Sequence, residues 1–189
     1  MTYQQELNSW LNPSPKATSP TPAIGSSAPS VPYSIVPSDK PQILTFLRHC
    51  GCPFAEKTFL RLRSSALSHP DIAFIAISHS DQAATDQWVE AIGGAGEVHL
   101  VVDSERDRYA EWGLGISGFW HVLNPLGLWN VYKMGKEEGI WNRPTQSGSR
   151  WQTSGSFAID SQGIVRWGQV APGADWIPDF EEAVKAVHG

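Results

Sequence analysis

Two cysteines stand two residues apart in the segment Arg48-His49-Cys50-Gly51-Cys52-Pro53, and they are the only thiols in 189 residues. Thiolates attack peroxide oxygen or disulfide sulfur, so the residue types point first to redox chemistry. Pro53 suits the first turn of a helix, where its missing N–H costs nothing. Cys52 then falls just before a helix N-terminus, where unsatisfied N–H groups and the helix dipole favour a thiolate. Arg48 and His49 are expected to add positive charge nearby. A sulfenic acid formed at Cys52 would be resolved by Cys50, through a strained and labile C-G-C disulfide that flexible Gly51 permits, or by an external thiol. The plain alternative is that a cysteine here is a small buried apolar residue. Cys50, read as the end of a strand, invites that reading more than Cys52 does. Cys50, Cys52 and His49 lie too close together to close a tetrahedral site, so no metal is expected.

The elements that must position this segment are legible on both sides of it. Ile43 to Leu47 is a short run of strand formers. After Pro53, the residues Phe59, Leu62 and Ala66 recur at helical spacing, and His69-Pro70 ends the run. A fully apolar strand comes next at 72–77, as in the buried middle of a parallel sheet. Asp81 caps a second helix with Ala84, Trp88, Ala91 and Ile92 on its buried face, and Gly93-Gly94 stops it. Strand 98–102 and a short helix at 106–112 come after it. The stretch 113–150, rich in Gly, Trp and Asn, shows weak periodicity and reads as an insertion or long active-site loop. Segments 155–160 and 164–170 form a hairpin around Asp160-Ser161-Gln162-Gly163. Pro178 opens a last helix with Phe180, Ala183, Val184 and Val187 as its apolar stripe. The β-α-β units require parallel strands with right-handed crossovers, and the hairpin adds antiparallel ones. The expected fold is α/β and thioredoxin-like: a central mixed β-sheet flanked by helices, carrying a Trp/Gly-rich insertion.

Residues 1–41 hold eight of the fourteen prolines and eight serines. Such a stretch cannot build a core and reads as an extended arm ahead of a domain at 42–189. A short helix at 3–11 could dock on that domain through Leu7, Trp10 and Leu11.

The cysteine segment and two stretches downstream of it resemble a known family. Phe46-Leu47-Arg48-His49-Cys50-Gly51-Cys52-Pro53-Phe54 resembles the F-x-R-x-x-G-C-P-F-C signature of the peroxiredoxin-like AhpC/TSA proteins. Asp103, Tyr109 and Gly113-Leu114-Gly115 are similar to a second stretch of that family. Gly155-Ser156-Phe157-Ala158-Ile159-Asp160 resembles its G-G-T-F-x-I-D strand. The resemblance, from about residue 42 to residue 170, implies a thioredoxin fold and thiol-dependent reduction of peroxides or endoperoxides. Where the signature has its second cysteine this chain has Ala55. Counting back from Cys52, where a classical peroxiredoxin has Pro-x-x-x-Thr/Ser-x-x-Cys, gives His49 and Thr45.

Further candidates flank the thiols. Pro53 and Phe54 would line a substrate site beside Cys52. His121, next to Trp120, is an acid or base by residue type. Arg150 and Trp151 precede a strand whose start faces the cysteine loop in this fold, so Arg150 could hold an anion or polarise a peroxide. Nine tryptophans, mostly between 88 and 176, read as a Trp-rich core or as an aromatic pocket for a flat apolar ligand.

Composition narrows the classes. A formal net charge of −5 argues against nucleic acid as a partner. No apolar run is long enough to span a membrane, and the polar N-terminus carries no secretory signal, so a cytoplasmic protein is expected. Gly93-Gly94-Ala95-Gly96 ends a helix instead of opening one, so no phosphate cradle and no cofactor are expected. Three functions remain open: a thiol oxidoreductase acting through Cys52 on a peroxide, endoperoxide or disulfide, with an external thiol reductant; a redox-inactive fold catalysing a rearrangement, cyclisation or elimination in a Trp-rich pocket; and a binding module, a homodimer through exposed aromatics.

Overall fold

The computed structural model describes residues 7, 9–11, 13–29, 40–123 and 125–189. Most of the helix expected at 3–11 and part of the arm lie outside them.

Strand β1 (Gln42–Phe46) pairs in parallel with β2 (Ala73–Ser78), and β2 in parallel with β3 (His99–Val102). On its other side β1 pairs antiparallel with β4 (Gly155–Ile159), which pairs antiparallel with β5 (Val165–Val170). The order β3-β2-β1-β4-β5 is the expected mixed sheet, with β1 at its centre. All five residues of β1 are buried, because both faces of the sheet are covered.

Alternation along β1 sends Ile43 to one face and Leu44 and Phe46 to the other. On the Ile43 face the sheet meets α1 (Pro53–Ser68) through Phe59 and Leu62, α2 (Gln82–Ala91) through Trp88, and the last helix, Phe180–His188, through Phe180 and Ala183. On the Phe46 face, Tyr109 of α3 (Asp107–Glu111) and Trp112 are fully buried. Phe46 lies 5.0 Å from Tyr109, 5.7 Å from Trp112 and 6.1 Å from Phe157, centroid to centroid. Such aromatic pairs add about 0.5–1.5 kcal/mol each beyond their area.

Caps set the helix boundaries. Asp81 accepts a hydrogen bond from the Ala84 amide and starts α2, as expected. The Asp103 carboxylate takes the amides of Asp107, Arg108 and Tyr109, so α3 begins at Asp107, one residue later than its pattern suggests. The last helix begins at Phe180 instead of Pro178, because Asp179 caps the amides of Glu181 and Glu182.

The loop expected at 113–150 is overturned. The stretch contains α4 (Phe119–Val122) and the fourteen-residue α5 (Pro125–Glu138), despite its weak periodicity. Two glycines hid α5. Gly135 is where Trp141 packs on the helix: a Cβ there would lie 2.5 Å from the indole ring. Helix α6 is the last one (Phe180–His188).

The part of the proline-rich stretch at 13–29 lies along the domain. Its residue Ser27 bridges Ile164, the Ser19 amide donates to the Ala110 carbonyl at 2.9 Å, and Lys16 pairs with Asp107.

Candidate functional site

β1 stops at Phe46, so Cys50 lies in the turn beyond the strand and does not end it. The chain then crosses from β1 to α1. The Cys52 amide donates to the His49 carbonyl at 3.1 Å, and the Glu56 amide donates to the Cys52 carbonyl at 3.0 Å as the first helical bond. Cys52 is the N-cap residue of α1, and its side chain makes no capping bond. Pro53 occupies the first helical position, as the sequence implies. Negative charge developing on Cys52 would meet the positive end of a sixteen-residue helix.

Both cysteines are free thiols and both are buried, Cys50 at 4% and Cys52 at 5% exposure. They have different neighbours. The Cys50 sulfur sits 3.6 Å from the Ser78 hydroxyl and 3.8 Å from that of Thr85, and burial pushes its pKa up. Cys50 also lines a cavity of about 250 Å³, whose walls include Trp88, Ala84 and Pro144.

The irregular segment from Trp141 to Arg150 crosses the loop as a strap, meeting it at His49, Gly51 and the cavity beside Cys50. The Arg143 amide donates to the Gly51 carbonyl at 2.9 Å. The Arg143 guanidinium forks onto buried Glu56 of α1, at 2.7 and 3.0 Å. The Ser147 hydroxyl accepts from the Asp81 amide, and the Ser147 carbonyl accepts from Ser80. The Ser149 amide donates to His79 Nε2 at 3.2 Å. His79 Nδ1 lies 3.4 Å from the Tyr109 hydroxyl, which is 2.7 Å from the Leu47 carbonyl just ahead of the cysteine segment. One hydrogen-bonded chain therefore ties the strap to the start of the cysteine loop.

Gly51 makes the fit of strap on loop possible. Its φ is +104°, and a Cβ there would meet the Arg143 carbonyl oxygen at 2.8 Å. Gly51→Ala should cost at least about 1–2 kcal/mol for the backbone conformation alone. It should also lift the strap, so that iodoacetamide labels the cysteines faster at equal pH. A variant with wild-type stability and unchanged labelling would contradict this packing.

The expected positive charge at His49 is overturned. The ring is buried at 2% exposure, and burial first, then the Arg48 and Arg150 charges, hold its pKa well below 6.5, so the imidazole is neutral near pH 7. Its Nδ1 rests 3.2 Å from the Cys50 carbonyl and 3.4 Å from Thr145 Oγ1. His79 is held neutral in the same way, with its pKa at about 4. Positive charge beside the loop comes from Arg150 and from Arg48, 5% exposed, whose Nη2 donates to the Arg150 carbonyl at 2.8 Å.

The other sequence candidates are distributed around this centre. Phe54 is buried and borders a small cavity beside Arg48. The Arg150 guanidinium binds Ser9 Oγ and Thr145 Oγ1, both at 3.0 Å, and lies over the Trp10 ring. Trp151 donates from Nε1 to the Trp10 carbonyl and packs edge-on against its ring. His121 is half-buried, with its pKa lowered by burial and by Arg48, whereas the adjacent Trp120 is 73% exposed. The Trp-rich pocket does not form: Trp112 is in the core, Trp120, Trp129 and Trp141 face outward, and Trp151 meets Trp10. Sequence reasoning missed Glu56, Arg143, His79, Ser78 and Thr85. Of these, only the polar run Ser78-His79-Ser80 at the end of an apolar strand carries a sequence signal of a buried polar network.

The family model described as AhpC/TSA antioxidant enzyme matches residues 59–173, beginning downstream of both cysteines. No curated protein matches the chain. Among solved structures, a peroxiredoxin-like protein from Aquifex aeolicus is similar at a TM-score of 0.60 and 16% identity, over 90% of this chain and 89% of that one. A thiol peroxidase from Chromobacterium violaceum is similar at 0.58 and 16%, over 91% and 90%. A 2-Cys peroxiredoxin from Plasmodium vivax is similar at 0.55 and 14%, over 86% and 93%. At these identities the likeness concerns the fold.

Proposed function

This chain belongs to the AhpC/TSA antioxidant enzyme family, and from that premise we propose that it is a thiol-dependent peroxidase with Cys52 as the attacking thiol. The observation that carries the reading is the place of Cys52: N-cap of α1, buried, at the exit of the central strand. The Cys52 thiolate attacks one oxygen of a hydroperoxide. An S–O bond forms as the O–O bond breaks, sulfur loses two electrons, and the alkoxide or hydroxide released takes a proton. An external thiol then attacks the sulfenic sulfur, expelling water and leaving a mixed disulfide. A second thiol cleaves that bond and restores Cys52. Cys50 is the internal alternative for the resolving step. The strap has to lift for either partner to enter, and its ties are hydrogen bonds and one ion pair instead of core packing. Thiol donors of this kind belong to the cytoplasm. Among the described residues no helix is long and apolar enough to cross a membrane.

The test is consumption of hydrogen peroxide and of tert-butyl hydroperoxide by the full chain, with dithiothreitol or thioredoxin as donor. Catalytic consumption that requires the thiol supports the reading. No consumption with any of these donors would sink it.

The partner we propose is a second copy of this chain. Phe119, Trp120, Leu126, Leu128, Trp129, Tyr132 and Trp141 are each about half to three-quarters exposed along α4, α5 and the start of the strap. Trp129, Tyr132 and Trp141 touch ring to ring and Phe119 touches Trp120; at about 150–250 Å² per aromatic these five expose on the order of 400–700 Å². A monomer's largest apolar patch is about 300–600 Å², and a stable interface takes about 800 Å² per partner. Sedimentation equilibrium should find a dimer at micromolar concentration and a monomer for Trp129→Ser/Tyr132→Ser. A monomeric wild-type chain at tens of micromolar would overturn this.

A further inference from the structure

Arg48 is a buried and poorly compensated charge. It is 5% exposed, and its guanidinium makes one hydrogen bond, from Nη2 to the Arg150 carbonyl. Its Nε and Nη1 are buried and find no partner among the described residues, nor does any carboxylate among them pair with it. A buried cation is costly unless it is paired, and a buried donor without a partner calls for an explanation.

Arg48 is among the residues that line a cavity of about 10 Å³ beside β1, α1 and the start of β4. That is the space of one water-sized particle. Hydroxyl groups stand around it: Thr45 and Ser156, hydrogen-bonded to each other at 3.1 Å, and Thr58 of α1. Ala55, which ends in a methyl group, leaves room on the helix side. A second nitrogen of the same character lies within the field of Arg48: His121 Nε2, buried and without a partner.

We propose that Arg48 holds a small monovalent anion of the halide class in this cavity. Water would leave the charge uncompensated, whereas a monatomic anion neutralises it. Nε and Nη1 of a guanidinium diverge from one edge as a fork that a single acceptor can bridge. The hydroxyls of Thr58 and of Thr45, which accepts from Ser156, can turn their protons toward the anion. The site needs no redox reaction, so it stands or falls apart from the peroxidase reading.

The experiment is thermal unfolding of the full chain at constant ionic strength, with sodium chloride or bromide replacing sodium gluconate. Binding to the folded state alone should raise Tm by about 3–6 °C once the halide is tenfold above its dissociation constant. Arg48→Met should melt no lower than the wild type in gluconate, because it removes an uncompensated buried cation, and should lose the halide response. Should that variant fail to fold, bromide-soaked crystals of the wild type decide: an anomalous peak within hydrogen-bond distance of Arg48 Nε and Nη1 supports the site. Equal melting in chloride and gluconate, a response retained by Arg48→Met, or bromide bound only elsewhere overturns it.

Discussion

Cys52→Ser should abolish thiol-dependent peroxide consumption, lowering turnover about 10³-fold or more, the scale on which nucleophile removal acts. The fold should survive. Cys52 is an N-cap residue without a capping bond, and serine is among the best N-cap residues, so the variant should be as stable as the wild type or slightly more so. Lost activity then cannot be blamed on misfolding. Cys50→Ser separates the two thiols. Cys50 rests against the hydroxyls of Ser78 and Thr85, and burial raises its pKa, so little of it is thiolate at neutral pH. Its serine variant should still consume one equivalent of peroxide. If Cys50 resolves the sulfenic acid, later turnovers should need a higher concentration of external thiol. Full turnover by Cys52→Ser, measured as peroxide loss with dithiothreitol present, would remove Cys52 from the mechanism.

Stability should fall steeply as pH drops from about 6.5 toward 4. His79 is neutral in the folded protein with a pKa of about 4, depressed by burial, against about 6.5 when unfolded. Above pH 6.5 neither state binds the proton and the full stability is present. Between 6.5 and 4 the unfolded state binds it and the folded state does not, so stability is lost at up to about 1.4 kcal/mol per pH unit. His79 alone accounts for about 3 kcal/mol over this window. His49, pushed down further by burial and by Arg48, acts in the same direction and extends the loss to lower pH. Asp103 works the other way, because burial raises its pKa and the folded state gains its proton first on acidification. Three histidines, His121 being the third, and Asp160, whose pKa is lowered, stand against one half-buried carboxylate and leave a net loss. Urea midpoints at pH 7.5, 6, 5 and 4.5 should fall in sequence, and His79→Gln should flatten the curve. Midpoints that do not move between pH 7.5 and 4.5 would contradict the buried neutral imidazoles.

Much of this architecture is local and is therefore readable in the chain. Pro53 after Cys52 predicts a helix start, and Cys52 is its N-cap. Asp81 predicts a cap and makes one. The alternating apolar runs and the Asp160-Gly163 turn predict the hairpin. Helix α5 is hidden because Gly127 and Gly135 weaken its pattern, yet both are buried and Gly135 is small to admit Trp141. The strap is hidden for a different reason. Its contacts join residues about ninety positions apart, Arg143 to Glu56 and Thr145 to His49, and many of them are made by backbone atoms that carry no sequence signature. The neutrality of His49 comes from burial under that strap, so it cannot be seen before the strap is.

The most direct test of the peroxidase mechanism is to add one equivalent of hydrogen peroxide to the reduced protein, trap sulfenic acid with dimedone and locate the adduct by mass spectrometry. The mechanism predicts the adduct on Cys52, formed faster in Gly51→Ala, where the strap is lifted. An adduct confined to Cys50, or peroxide left unconsumed with both thiols intact, would contradict it.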